Sequence, residues 1–321
     1  EYIIENLPGE IEFHHSSVVT NLKRPFILHL EVLSTLFLPD KKKDTELISY
    51  KKYKKLLEND LCLGVFSHLK ETLENINNYF NSEKIYKKLY LTKIGIETKN
   101  EIIKEKEVGQ NFLFINSNHQ NDKNFFSRGG MLILESWEKI LKINKKANLY
   151  MRCEKPHRHL IKNPDVLRVL DKEEGKSIHW FEDYLSKHEM DNLFQKSNFF
   201  FLVSDYLHSA SIMQALQYGL IIFSSDTIGV NNYIKHKKNG LVINGKKDEF
   251  WKLSENVMIE KYSSLYKTDH YTKQIISLYK LCQNQNFQKN LSKNALNSFK
   301  KKFMGNSFKE SFFNKILEKY E

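Results

Sequence analysis

The run NFFFLVSDYLHSASIMQALQYGLIIF, residues 198–223, decides the fold of this chain. Asn198 to Val203 is an apolar stretch of strand length, and a small-residue polar loop follows it. A helix is expected over Ser211 to Tyr218, with Ser209 or Ser211 as its cap and Gly219 at its end, before a second apolar strand over Leu220 to Phe223. Continuous apolar strands joined through a helix imply a parallel sheet covered on both faces.

The same alternation extends outward in both directions. Upstream, strands are expected at Asn111 to Ile115, Ala147 to Met151 and Ser177 to Phe181. Helices are expected at Met131 to Leu141, Pro164 to Leu170 and from a Ser186 cap, with Glu189 as capping-box partner, to Lys196. Such regularity reads as a doubly wound sheet. Downstream, helices are expected over Glu249 to Met258, Tyr266 to Cys282, and in two more segments to Tyr320. Before residue 111, strands at Ile11 to Phe13, Phe26 to Leu30, Leu61 to Phe66 and Lys84 to Leu91 give a second β-x-β-α-β series. Its helix, covering Leu69 to Ile76, is expected to be capped by Ser67, and Lys41 to Lys55 reads as a solvated helix or loop. The charged, aperiodic run Glu97 to Val108 marks the linker between the two halves.

With 321 residues and 40% hydrophobic side chains, the chain can build two α/β cores. The three cysteines, Cys62, Cys153 and Cys282, form no CxxC or Cys/His pattern, so a reducing compartment and no structural metal are expected. There is no secretory leader and no apolar run of spanning length, which points to a cytoplasmic protein, soluble or peripheral at the inner face of a membrane. The net charge of +11 suits an anionic partner, though Lys, Asn and Ile are abundant throughout and supply a purely compositional explanation. Glu1 to Pro8 carries no phosphate-binding glycine loop, so the first domain is expected to lack an upstream segment.

Three strand-end segments carry chemistry. The first runs from Phe112 through a polar loop to Arg128, Gly129 and Gly130 at a helix start. Glycines there allow close backbone approach, free amides face a phosphate, and Arg128 adds a charge-assisted contact. The second is Val203 to Gly219, where Ser209, Ser211 and their backbone amides could hold a phosphate and Gln214, one turn in, could reach a ribose hydroxyl. The third is Ser224 to Asn232, polar and glycine-containing. Taken singly, each could be an ordinary turn or helix cap.

From Asn111 to Tyr320 the chain resembles the retaining GT-B glycosyltransferases typified by family 4. Three stretches carry the likeness: FLFINSN…FFSRGGMLILESWEKIL, residues 112–141; the run from Leu185 to Ile243; and LSKNALNSFKKKFMGNSFKESFFNKILEKY, residues 291–320. The resemblance implies two Rossmann-like doubly wound domains facing a cleft, with the C-terminal helix crossing back to the first. It implies an acceptor-side domain over 1–105, a nucleotide-sugar domain over 106–285 and closing helices over 286–321. Donor contacts are implied at Asn116, Ser117, Arg128, Gly129, Gly130, His208, Ser209, Ala210, Ser211, Gln214 and Asn232. The pattern departs from the family's where charge matters. Gln214 stands at the second of the paired glutamates, the first falls near Tyr206 to His208, and Asn232 replaces a further Glu. The basic pair of the first loop is reduced to Arg128, with Asn116 or Ser117 in place of an Arg.

Among the first-domain histidines His14, His15 and His29, His15 is the candidate catalytic partner of Arg128, because it lies just past a strand end. The implied reaction takes a sugar from a nucleotide-diphosphate donor to a glycan or lipid-linked acceptor, with no cofactor and no metal, and the chain has no D-x-D triplet. Peripheral contact with an anionic membrane through Lys41 to Lys55 and Lys84 to Lys93 is a further expectation, and nucleic acid is not an expected partner. The competing readings are a catalytically degenerate binding subunit, a nucleotide-sugar epimerase and, last, a nucleic-acid binder.

Overall fold

The computed structural model describes residues 10–18, 20–40, 46–96, 105–116, 122–245, 251–254, 257–260 and 268–305. The chain divides into two compact units, the first formed by Glu1–Gly95, Trp251–Lys261 and Gly305–Glu321, the second by Ile96–Phe250 and Tyr262–Met304.

In the first unit β1 (Glu12–His15), β2 (Phe26–His29), β3 (Cys62–Ser67) and β4 (Leu89–Leu91) form a parallel sheet in chain order. Helices α1 (Glu46–Glu58), α2 (Lys70–Phe80) and α3 (Glu83–Tyr86) accompany it. The core joins Phe26 and Leu28 of β2 with Val65 of β3, Tyr53 and Leu57 of α1, and Ile76 and Phe80 of α2. Four expectations change here. The Lys/Tyr-rich run is helical from Glu46 and buries Tyr53 and Leu57 beneath its lysines, so it is amphipathic rather than fully solvated. Ser67 ends β3 and its Oγ accepts from the Leu69 amide at 3.1 Å, while Leu69 itself occupies the α2 cap position. Lys84 to Leu91 begins as the α3 turn, closed by Tyr86 N donating to Ser82 O, and becomes a strand only at Leu89. The segment expected as a helix over Glu249 to Met258 instead pairs β11 (Trp251–Ser254) with β12 (Val257–Glu260) antiparallel. Trp-Lys-Leu-Ser alternates apolar and polar residues with period two, which suits a strand.

The second unit holds β5 (Asn111–Ile115), β6 (Asn148–Arg152), β7 (Ile178–Trp180), β8 (Phe199–Leu202), β9 (Ile221–Ser225) and β10 (Leu241–Ile243). All pairs are parallel, in the order β10-β9-β8-β5-β6-β7. The first strand of the series therefore lies at the centre, and the winding reverses between β5 and β8, the arrangement of a dinucleotide-binding sheet. Helices α4 (Asp122–Ser127), α5 (Gly130–Ile143), α6 (Pro164–Glu173), α7 (Lys187–Lys196), α8 (Ser209–Gln217), α9 (Thr268–Leu281) and α10 (Gln285–Lys302) complete it. Phe112, Phe199, Phe223, Trp137 and Tyr279 build an aromatic centre in which Phe112 stacks on Phe199 at 4.7 Å. Trp137 Nε1 is satisfied by Ser177 Oγ at 3.0 Å.

The ends of these helices follow their local chemistry. Ser186 and Glu189 form the reciprocal capping box before α7. Gly219 takes φ 65° after α8, and its carbonyl accepts from Ser292 Oγ of α10 at 2.7 Å. The final segment expected to cross back, residues 306–321, lies outside the described residues. No helix among the described residues is long and apolar enough to cross a membrane.

Candidate functional site

Where the winding reverses, neither neighbouring strand's connection covers the carboxyl ends of β5 and β8, and open α/β sheets take ligands there. The loop before α5 is pinned into this gap. Gly129 has φ 86°, and a Cβ on it would stand 2.4 Å from the Val203 carbonyl just past β8. Asp205 N donates to Ser127 O at 2.8 Å from the other side. The close approach needs glycine, so Gly129 acts first by geometry.

Arg128 is carried into the gap by this turn. Its Nη1 donates to Ile115 O at the end of β5, at 3.3 Å, and it also hydrogen-bonds Tyr206. The side chain is buried, its Nε is buried without a partner, and no carboxylate among the described residues pairs with it. Burial pulls its pKa down, opposed only by Tyr206.

A second guanidinium meets the same strand end. Arg152, the last residue of β6, is paired in register with Ile115, and its Nη1 donates to Asn116 O at 3.2 Å. It too is buried, with an unpartnered Nε and no carboxylate partner among the described residues. Two buried cations thus bond consecutive carbonyls of one strand end. Sequence reading overlooked Arg152, whose signal is an arginine closing the buried run Asn-Leu-Tyr-Met-Arg. Of the two positions expected beside Arg128, Asn116 is buried between these groups and Ser117 lies outside the described residues.

Beyond β8, α8 starts at Ser209 with His208 at the cap position, so neither Ser209 nor Ser211 is the cap. The His208 side chain makes no capping bond here, and its Nε2 turns back to Ser204 Oγ at 3.1 Å. Burial first, and the charge of Arg128 second, hold His208 down to about 3, so it is neutral near pH 7. His208 therefore adds no charge, while the first amides of α8 add partial positive charge. Ala210 and Gln214 lie on the exposed side of this helix, Ser209 is buried and Ser211 half-buried. Asn232 closes a short 3-10 turn and bonds Gly229 O through Nδ2 at 3.2 Å. The structure thus gathers Arg128, Gly129, Asn116, His208 and the start of α8, with Arg152 and Tyr206 added, around one strand-end gap.

His15 belongs to the first unit. It is the exposed last residue of β1, and its Nδ1 lies 3.0 Å from His29 Nδ1 on β2. Among the described residues, no three side chains of His, Cys, Asp or Glu are grouped to hold a metal ion.

No protein-family model matches the chain, and no curated protein sequence does. Solved structures do. TarM, known from S. aureus, is 16% identical over 92% of this chain and 51% of its own, with a TM-score of 0.59. HepE of Anabaena, in complex with UDP and glucose, is 9% identical over 92% and 71%, also at 0.59. Sucrose-phosphate synthase of Thermosynechococcus elongatus is 11% identical over 94% and 67%, at 0.54. The chain spans about half the length of TarM. The likeness shows the fold, GT-B, with its two Rossmann-like units.

Proposed function

We propose that the chain is a glycosyltransferase that moves a sugar from a nucleotide-diphosphate donor to a surface-glycan acceptor, oligosaccharide or lipid-linked. The observation that carries this reading is the pair Arg128 and Arg152, two buried guanidiniums without carboxylate partners among the described residues, at the switch point of a dinucleotide-type sheet. A diphosphate supplies the charge and the acceptor oxygens that both lack. Support comes also from neighbours sharing the fold, since HepE was solved with UDP and glucose and a mutant of TarM with fondaparinux, alpha-GlcNAc-glycerol and UDP.

In the proposed reaction Arg128, Arg152 and the α8 amides stabilise the charge that grows on the departing nucleoside diphosphate. The protein's own cations do this work, so the reaction is read as metal-independent, and the family 4 resemblance makes it retaining. The Gly129–Gly130 turn, packed against Val203 and Phe125, holds Arg128 toward the phosphates, while Ser209, Ala210, Ser211 and Gln214 contact donor phosphate and ribose. Residues 1–105 form the acceptor side, where His15 serves the acceptor hydroxyl. The enzyme works at the cytoplasmic face, with its lysine-rich runs against anionic lipid.

Gln214 and Asn232, neutral where the family carries carboxylates, favour a second reading as a catalytically degenerate binding subunit. Calorimetry with UDP and a panel of sugar nucleotides, followed by transfer to lipid-linked and oligosaccharide acceptors, separates the two. An active enzyme transfers, and its Arg128→Ala variant does not. Unchanged transfer by that variant sinks the assignment of Arg128, and binding without transfer to any acceptor favours the subunit.

A further inference from the structure

Three histidines stand in a row at the carboxyl edge of the first unit's sheet. His15 ends β1, His29 ends β2 and His68 directly follows β3. Their rings stack with centroids 5.2 and 5.4 Å apart, and their nitrogens meet end to end. His15 Nδ1 lies 3.0 Å from His29 Nδ1, and His29 Nε2 lies 3.4 Å from His68 Nδ1. At the inner end His68 Nε2 faces Glu31 Oε1 at 3.9 Å. The row runs from the buried His68 side chain, 3% exposed, to the exposed His15.

Backbone contacts tie the ends of this row to the sheet. Ser16, next after His15, takes φ 70°, a strained conformation for a residue with a Cβ, and its amide donates to His29 O at 3.0 Å. Thr72 Oγ1 of α2 donates to Glu31 O at 2.5 Å, fixing the residue at the carboxylate end.

The direction of the hydrogen bonds follows from charge. Burial, reinforced by the neighbouring rings, holds His29 down to about 4 and His68 to about 3, so both are neutral near pH 7. A neutral imidazole has one donor and one acceptor nitrogen. The Glu31 carboxylate attracts the positive end of an N–H dipole, which places the His68 proton on Nε2 and leaves its Nδ1 bare. His29 then donates from Nε2 to that nitrogen and keeps its own Nδ1 bare, and His15 must donate from Nδ1.

We infer that Glu31, His68 and His29 are positioning residues that hold His15 in its Nδ1–H tautomer, so that His15 Nε2 presents a lone pair at the sheet edge to a hydroxyl group. Free histidine prefers the opposite tautomer, so the row reverses an intrinsic preference. The hydroxyl is that of a sugar acceptor, an identification that rests on the function proposed above. The tautomer itself does not rest on it.

The test is long-range 1H–15N spectroscopy on the full chain labelled with 15N-histidine, at about pH 8, where imidazoles are neutral. The His15 signals are assigned by their loss in His15→Ala. Expected are a pyrrole-type shift for His15 Nδ1 and a pyridine-type shift for Nε2. Glu31→Gln and His68→Phe are each expected to move both shifts toward the Nε2–H form. Glu31 is partly exposed, so Glu31→Gln keeps the test decisive should His68→Phe fail to fold. A protonated Nε2 in the native chain overturns the inference, as do shifts unmoved in every folded variant. This readout needs no donor or acceptor, so a protein without transferase activity can still show the tautomer. A wrong tautomer, in turn, leaves the Arg128 and Arg152 reading standing. In an active enzyme, His15→Ala is expected to lower kcat by about 10²-fold or more.

Discussion

Replacing Arg128 or Arg152 with Met should affect folding and ligand binding in opposite directions. In the free protein Arg128 gains only a long bond to Ile115 O, 3.3 Å, and its contact with Tyr206, while Arg152 gains one bond of 3.2 Å to Asn116 O. Each leaves its Nε buried without a partner. Apolar replacement of buried charge is commonly neutral or stabilising by about 1–4 kcal/mol. Subtracting about 1–2 kcal/mol for the lost carbonyl bond leaves an expected gain centred near about 1 kcal/mol, within about −1 to +3 kcal/mol, for each variant. At about 2–4 °C per kcal/mol for a unit of this size, Tm should hold or rise by several degrees. Binding should move the other way, since a lost charge-assisted bond to phosphate costs about 1.5–3 kcal/mol, or about 10- to 150-fold in Kd. Thermal unfolding of the ligand-free variants, paired with calorimetry against UDP, measures both. A Tm lowered by more than about 4 °C with unchanged UDP affinity would show that the guanidiniums serve the fold, and would refute the reasoning.

Acid should loosen the first unit's sheet. His29 and His68 have folded pKa values of about 4 and about 3, below the unfolded value, so stability is full above pH 6.5 and falls as pH drops toward those values. Between about pH 7 and 5 each should contribute a loss of about 2 kcal/mol, read as faster hydrogen exchange in β2 and β3 peptides. Gly129→Ala puts a Cβ 2.4 Å from the Val203 carbonyl at φ 86° and should destabilise the second unit by about 2 kcal/mol or more, measured by urea unfolding. The three cysteines are buried, with Cys153 pushed upward and Cys282 to about 12 by burial. A thiol reagent at about pH 8 should therefore label Cys62, Cys153 and Cys282 only as the protein unfolds.

Much of the second unit can be read from its residues because strands such as β8 and β10 are continuous apolar runs. Phe199 to Leu202 has no exposed face, and the caps at Ser186 and Gly219 are set by local chemistry. The first unit is harder to read. Lys84 to Leu91 mixes a helical turn with a three-residue strand, and no periodicity resolves so short a change. The tail strands escaped for a related reason, since Trp251 to Glu260 is apolar enough for either element and the pairing partner decides. Site chemistry divides along the same line. Arg128 and Gly129 announce themselves in a loop, where such residues have few structural explanations. Arg152 sits inside a strand, and its proximity to Arg128 exists only through the register of β5 with β6. The histidine row is likewise spread over residues 15, 29 and 68 and converges only when β1, β2 and β3 align.

The two clusters bear on whether Gln214 marks a lost activity. A carboxylate there would strengthen a ribose contact, but it would also set negative charge near a bound diphosphate. With Gln214 neutral, Arg128, Arg152 and the first amides of α8 face a bound diphosphate without an added carboxylate at that position. A binding subunit would need only this half. It would have no use for an exposed imidazole braced by two neutral rings and a carboxylate, with a strained serine beside it. Burying those rings costs stability as the pH falls, so the row calls for a use, but its tautomer is measured without donor or acceptor, and it is transfer by the native chain against Arg128→Ala that separates an active enzyme from a degenerate one.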